Sequence, residues 1–484
     1  MHNSTLFRRA PLALLLLATL GCRSATQPFE EPRIAARQPE RKLPNIVVAL
    51  FDDLGYGQPR PYAPSSEFRL PQLERLAADG MTFTDAHAAA AVCTPTRYGL
   101  LTGRHPCRIG QFGVLTTWSP PLIPKQRTTV ASLLRGAGYH TACIGKWHLG
   151  LNWDHGRPGT QRSVPVGEHF TDGPNAVGFD YFYGFTHARN IATVLEQDRV
   201  VAHVDPVDNQ PLMIAKAVDY IGQRAAGERP FLLYFAMCPP HTPVVPAADY
   251  VGRSGAVDLV GKDPKYGDWM MQGDDMLGQL LAALERAGIA DDTLVIAASD
   301  NGAEHRAYPP LRGSKRSIYE GGHRVPFVAR WPGRIAAGST CDHTACLDDL
   351  IATCAEVIGT ELPADAGEDS TSLLPALLGD GEARPRPDTV HQSMQGDLAL
   401  RHGRWKLIFH RDGRRELFDL DADLGETSDL SLRHADVVAN LTQRMQTLID
   451  RGRSSPGPAV QNDFELTLPG SRGSSTRGAP GRGR

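Results

Sequence analysis

Cys93-Thr94-Pro95-Thr96-Arg97, running on to Leu101-Thr102-Gly103-Arg104, places a thiol and a guanidinium one helical turn apart. Pro95 suits the first turn of a helix, where its missing N–H loses no partner, and Gly103 can stop that helix. Cys93 then sits at a helix N-terminus, whose free N–H groups and dipole favour an anion, and Arg97 can reach back to the same anion. Asp52-Asp53 closes one run of β-type residues, and Ser299-Asp300-Asn301-Gly302 closes another. Adjacent carboxylates repel unless a cation or hydrogen bonds hold them, and Asp52, Asp53, Asp300 and Asn301 offer only oxygen donors. Such a set suits Ca²⁺ or Mg²⁺ and includes no soft ligand. In Gly145-Lys146-Trp147-His148-Leu149-Gly150, Lys146 and His148 alternate by two. Extended backbone would aim this cation and this proton carrier into one pocket.

Taken singly, each string has a plainer reading. Cys93 can be a buried thiol before an ordinary helix, Asp52-Asp53 and Asn301-Gly302 can be turns, and His241 in Pro240-His241-Thr242-Pro243 can be a loop residue. Their succession narrows the choice. With Arg312-Gly313-Ser314-Lys315 and the run Tyr319-Glu320-Gly321-Gly322-His323-Arg324-Val325-Pro326, the series resembles the type I, formylglycine-dependent sulfatases. These are arylsulfatase-like members of the alkaline phosphatase-like superfamily, and the resemblance covers about residues 42–449.

The resemblance implies a sulfate-ester hydrolase in which a maturation enzyme, of the formylglycine-generating or the anaerobic sulfatase-maturating kind, oxidises Cys93 to formylglycine. It adds Cys93 to Asp52, Asp53, Asp300 and Asn301 as a ligand of one divalent cation, Ca²⁺ with Mg²⁺ as the alternative. It gives Arg97, Lys146 and Lys315 the sulfuryl oxygens, His241 the protonation of the leaving oxygen with help from Lys315, and His148 the proton of the second hydroxyl of the hydrated aldehyde. His323 and Arg324 receive no role beyond ion pairing or loop packing. The implied substrate is a sulfated saccharide or glycan, with aryl sulfates as surrogates, and His187, Arg189, His305 and Arg312 lie in loops placed to line its pocket. A phosphodiesterase or phosphonate hydrolase of the same superfamily would share the carboxylates, though many use a serine or threonine nucleophile and two transition-metal ions. A non-catalytic glycan-binding lipoprotein is the alternative from another class.

To position these groups the chain needs strands that end together. Residues 45–51 form a continuous apolar run, as expected of a strand buried on both faces. Helical patterns at 73–78, 130–134, 214–224 and 276–286 alternate with strand patterns at 81–84, 140–144, 231–236 and 293–298. That rhythm predicts an α/β fold, a large and mostly parallel sheet sandwiched by helices over residues 42–390. Beyond it, strands at 397–401, 404–410 and 415–420, joined by His402-Gly403 and Asp412-Gly413, predict a small antiparallel sheet. With a helix over 436–449 they make a C-terminal subdomain, residues 391–453, and the Ser-, Gly-, Pro- and Arg-rich residues 454–484 read as an unpacked tail.

The formal net charge of −3 over 484 residues supplies no basic field for nucleic acid, and no internal apolar run is long enough to span a bilayer. Arg8-Arg9 before the short apolar run 10–20 reads as an export signal over residues 1–22. Gly21-Cys22 resembles a bacterial lipobox, which would make Cys22 a lipid anchor. Residues 23–41 then form a tether, and the location is periplasmic or at the outer membrane of a bacterium. Of the eight cysteines, Cys341 and Cys346 are spaced to pair, whereas Cys143 and Cys238 lie in apolar stretches that suit buried thiols.

Overall fold

The computed structural model describes residues 42–156, 164–255, 263–304, 307–379, 386 and 388–468. The export signal, Cys22, the tether, His305 and residues 469–484 lie outside the described residues. Strand Asn45–Asp52 runs parallel between Phe231–Pro240 and Thr293–Ser299. His140–Lys146 and then Tyr181–Phe185 extend the parallel set beyond Phe231–Pro240. Both margins turn antiparallel, through Thr193–Glu196 and Arg199–His203 on one side and Phe327–Arg330 and Met81–Phe83 on the other; Ser339–Cys341 closes that second edge. The ten-stranded sheet is therefore mixed, parallel in its centre.

Alternation places Ile46, Val48 and Leu50 on one face and Val47, Ala49 and Phe51 on the other, and each set enters a different apolar cluster. The first cluster takes in helices Cys93–Thr102, Val130–Gly136 and Leu350–Ile358 through Leu100, Leu101, Leu134 and Ile351. The second takes in Pro71–Asp79, Pro206–Ala225 and Tyr266–Arg286 through Leu73, Leu76, Ile214, Ile221, Leu277 and Leu284. Burial on both faces explains why the middles of the central strands, such as Ile46 to Phe51 and Leu294 to Ala298, are apolar.

Thr389–Gln392, Leu398–His402, Trp405–Phe409 and Arg415–Asp419 form an antiparallel meander, and helix Ala435–Arg451 packs Leu441, Met445 and Leu448 against its Leu400, Leu407 and Leu417. Its other face, with Ala399, Ile408 and Phe418, covers Ile318 of the large unit. The large and small sheets belong to one compact unit that starts at Leu43.

Two expectations need correction. Residues 454–468 are not unpacked: Ser454 N and Ser455 N donate to Glu368 O at 3.0 Å, and Arg104 Nη1 donates to Asp463 Oδ2 at 2.8 Å. Buried guanidiniums on the large unit need acceptors, and this polar segment supplies them although its composition carries little apolar drive. Cys341 and Cys346 are not paired, and every described cysteine is a free thiol. Cys341 ends the edge strand Ser339–Cys341, while Cys346 ends Ala345–Cys346, which pairs with Ala86–His87 in a separate two-stranded sheet.

Candidate active site

The parallel strands deliver the chemistry at their carboxyl ends, where open α/β sheets place ligands. Asp52 ends Asn45–Asp52, Lys146 ends His140–Lys146, Asp300 follows Thr293–Ser299, and His241 follows Phe231–Pro240. Asp53 adopts a left-handed backbone with φ 71°, which turns its carboxylate back toward the sheet end. Its amide donates to Asp300 Oδ1 at 3.2 Å, and Leu54 N donates to Ser299 Oγ at 2.9 Å, tying the two central strand ends together.

Helix Cys93–Thr102 enters above them with all ten residues buried. Val92 precedes it in extended backbone, Cys93 opens it, and Gly103 stops it in the left-handed region. Arg97, fully buried, donates from Nε at 3.1 Å and Nη2 at 2.7 Å to Asp300 Oδ2, and from Nη1 at 3.2 Å to the Lys146 carbonyl. Lys146 Nζ binds Asp52 Oδ2, Lys315 Nζ stands 2.7 Å from Asp53 Oδ2, and Asn301 Nδ2 donates to Asp53 Oδ1 at 2.6 Å.

Three carboxylates thus face three almost wholly buried cations. Burial pushes Asp52 up, but Lys146 and His241 outweigh it and hold the carboxyl below its ordinary value. Burial and then the neighbouring Asp52 push Asp300 up, with Arg97 opposing. Lys146 is disfavoured by burial yet held charged by Asp52, and burial raises the Cys93 thiol. Two oxygens remain unused, since Asp52 Oδ1 and Asn301 Oδ1 are buried with no hydrogen-bond partner. Ligand atoms of Asp52, Cys93 and Asp300 lie within 4.8 Å of one another, as do those of Asp52, Asp53 and His241. Orphaned hard oxygens beside converging carboxylates fit a divalent cation of the Ca²⁺ or Mg²⁺ type.

The two histidines differ. His241 Nδ1 binds the Thr242 carbonyl, which leaves Nε2 turned toward Asp53 Oδ2 at 3.8 Å. His148 does not continue the alternation from Lys146: the strand ends there, and His148 itself has φ 58°. Its Nε2 meets the Leu115 carbonyl at 2.9 Å, while Nδ1 is buried without a partner. Burial and then Lys146 push its pKa well below the ordinary histidine value, so the ring is neutral with Nδ1 free to accept a proton.

Of the rim residues, His187 stacks on His148 at 5.4 Å, with burial lowering it to about 4, and Arg189 is exposed. Arg312 turns away, donating to the Glu426 carbonyl at 2.8 Å and lying 3.7 Å over the Tyr319 ring. Arg324 pairs with Asp85 at 2.9 Å, and His323 stacks on His391 at 4.0 Å. Sequence reasoning passed over Thr94, whose hydroxyl donates to the His148 carbonyl at 3.0 Å and accepts from Leu115 N at 3.1 Å. It sits beside Cys93, but a threonine after a helix start carries no signal of that bridge.

The mixed α/β sheet thus gathers three acids, three cations and a helix start at the carboxyl ends of its central strands. The sulfatase family profile matches residues 44–360, and that of the N-sulphoglucosamine sulphohydrolase C-terminal region matches 304–451. Arylsulfatase A of Homo sapiens is 34% identical, across 78% of this chain and 77% of that protein. The N-acetylgalactosamine-6-O-sulfatase of Bacteroides thetaiotaomicron is 28% identical over 84% of this chain and 93% of its own. The crystal structure of Ps i-CgsB in complex with k-i-k-neocarrahexaose superposes with a TM-score of 0.75 at 25% identity, covering 87% of this chain and 95% of that one. The chain belongs to the sulfatase family and is a sulfuric ester hydrolase of the alkaline phosphatase-like fold.

Proposed function

We propose that the protein removes sulfate from a sulfated saccharide, with formylglycine at position 93 and one divalent cation, Ca²⁺ before Mg²⁺. The single observation that carries the chemistry is the convergence of Cys93, three cations and three carboxylates around two orphaned oxygens. The substrate class is supported by the N-acetylgalactosamine-6-O-sulfatase relative and by the carrageenan-type hexaose in a structural neighbour.

Asp52, Asp53, Asp300 and Asn301, with position 93, would hold the cation, which supplies positive charge to the sulfate oxygens when bound. A hydrated aldehyde at position 93 supplies the attacking hydroxyl and a second hydroxyl for expelling sulfate. The protein's own groups account for the rest. Three carboxylates balance Arg97, Lys146 and Lys315, so a bound divalent cation leaves the pocket positive and receptive to a sulfate ester. Lys146 and Lys315 grip the sulfuryl oxygens, whereas Arg97, expected among them, is committed to Asp300 Oδ2 and the Lys146 carbonyl and steadies Asp300 from behind. His241 keeps one proton on Nδ1 against Thr242 and gives the other from Nε2 to the leaving oxygen. His148 uses its free Nδ1 as the base for the second hydroxyl.

The reading includes the cell's contribution: a maturation enzyme for Cys93, export through residues 1–22 and lipid attachment at Cys22. Co-expression with a formylglycine-generating enzyme, peptide mass spectrometry at Cys93 and sulfate release from a panel of sulfated saccharides test it together. An active protein carrying only thiol at Cys93 would sink it, and dependence on Zn²⁺ at two sites would move it to the phosphodiesterase branch.

A further inference from the structure

Lys315 is carried by a loop, residues 312–324, that has no regular structure until helix Glu320–His323. A catalytic lysine on a loop needs external support, because a misplacement of about 1 Å costs on the order of 100-fold in rate. Inside the large unit the loop is stitched by Lys315 N to Ala303 O at 2.9 Å and by Gly302 N to Gly322 O at 2.9 Å. Those contacts require bare backbone, since a Cβ on Gly302 would fall on the Gly321 carbonyl.

The remaining support comes from the small sheet. Lys406, in strand Trp405–Phe409 and fully buried, places Nζ 3.0 Å from Glu320 Oε1, 2.8 Å from Glu426 Oε1 and 3.1 Å from His323 Nε2. Glu426 accepts the Glu320 amide at 2.6 Å through Oε2, and its carbonyl accepts Arg312 at 2.8 Å. One glutamate therefore holds both ends of the loop. Tyr319 donates to Glu416 Oε2 at 2.7 Å, and Ile318 packs on Ile408 and Phe418.

We infer that Lys406 and Glu426 are positioning residues for Lys315, so that the C-terminal sheet aims the catalytic lysine from behind without touching the substrate. The inference rests on the reading of Lys315 as a sulfate contact. A double-mutant cycle on the mature full-length enzyme, with an activated aryl sulfate, separates it from a merely structural role. At a temperature where all variants are folded by circular dichroism, Lys406→Met should lower kcat/KM by about 10- to 100-fold. Lys406→Arg, which restores the charge, should recover most of that loss. In a Lys315→Ala background, Lys406→Met should cost less than about two-fold more, because the group it aims is gone. Equal losses in both backgrounds would overturn the inference and leave the functional reading intact. No loss in Lys315→Ala itself would instead overturn the role of Lys315. If Lys406→Met does not fold, Glu426→Gln completes the same cycle with the same two outcomes.

Discussion

Two buried carboxylates in this molecule, Asp369 and Asp52, are built to opposite standards. Around Asp369 both carboxylate oxygens are saturated: Arg108 donates to Oδ2 from Nε and to Oδ1 from Nη2, each at 2.7 Å, the His105 amide adds 2.8 Å, and Ser454 adds its amide and hydroxyl. Around Asp52, a comparable density of charge leaves Asp52 Oδ1 and Asn301 Oδ1 without hydrogen-bond partners. Burying a polar atom unpaired costs about 1–3 kcal/mol, so the second cluster is kept incomplete at the expense of stability. The Asp369 carboxylate is finished by the chain itself, and the Asp52 carboxylate is left with an oxygen for something else to take.

The strongest way to break this contrast is at Cys93. Cys93→Ala should abolish sulfate release, a fall of at least about 10⁴-fold, with an unchanged melting temperature; residual turnover in a discontinuous sulfate assay would show that the cluster serves another nucleophile. Next comes the missing partner. Chelation should silence the enzyme and Ca²⁺ or Mg²⁺ should revive it, whereas Asp300→Ala should lose about 10³-fold and resist revival, measured by activity and by metal content.

The histidines sharpen the comparison within the functional cluster. His241→Ala should lose about 10²- to 10⁴-fold on a saccharide sulfate but far less on an aryl sulfate whose phenolate leaves unaided. His148→Ala should instead trap a sulfated enzyme with either substrate, visible as an adduct of intact protein mass. Identical leaving-group dependence without an adduct would mean that the two roles are wrongly divided.

The finished cluster should answer in stability and not in chemistry. Asp369→Asn strands Arg108 and should cost about 3–5 kcal/mol, with kcat per folded molecule unchanged. Burial raises Asp369, but Arg108 and then His105 outweigh it and hold the carboxyl far below its ordinary value. A depressed carboxylate contributes its stability above the unfolded pKa, near about 4, and loses it as pH falls toward the folded value. The gap in urea midpoint between wild type and variant should therefore hold from pH 7 down to about 4 and narrow below it; a gap unchanged at about pH 2 would show that Asp369 is not the titrating group.

Much of this site was legible because apolar strands ending in Asp52, Lys146 and Asp300 announce both their burial and their carboxyl ends. The margins were not. Tyr181–Phe185, Thr193–Glu196 and Phe327–Arg330 are short, and their pairing is decided by neighbours far away in the chain. Helices Pro206–Ala225 and Tyr266–Arg286 begin well before the expected 214 and 276, because their first turns carry polar residues such as Asp208 and Asp268 that obscure the apolar period. His148 was read as extended, since nothing local marks its φ of 58°. Lys406 and Glu426 carry no motif; only the folded chain brings them to residue 320.

Helix Cys93–Thr102 has one more consequence, in the order of events by which the enzyme is made. Its ten residues are all buried and Cys93 is 2% exposed, with the chain before it bonded from Ala91 N to Gln392 O, some 300 residues later. The maturation enzyme proposed for Cys93 would find that side chain out of reach once the small sheet has closed. On the proposed reading, oxidation of Cys93 would therefore have to precede closure of the small sheet, and a chain that folded first would keep its thiol.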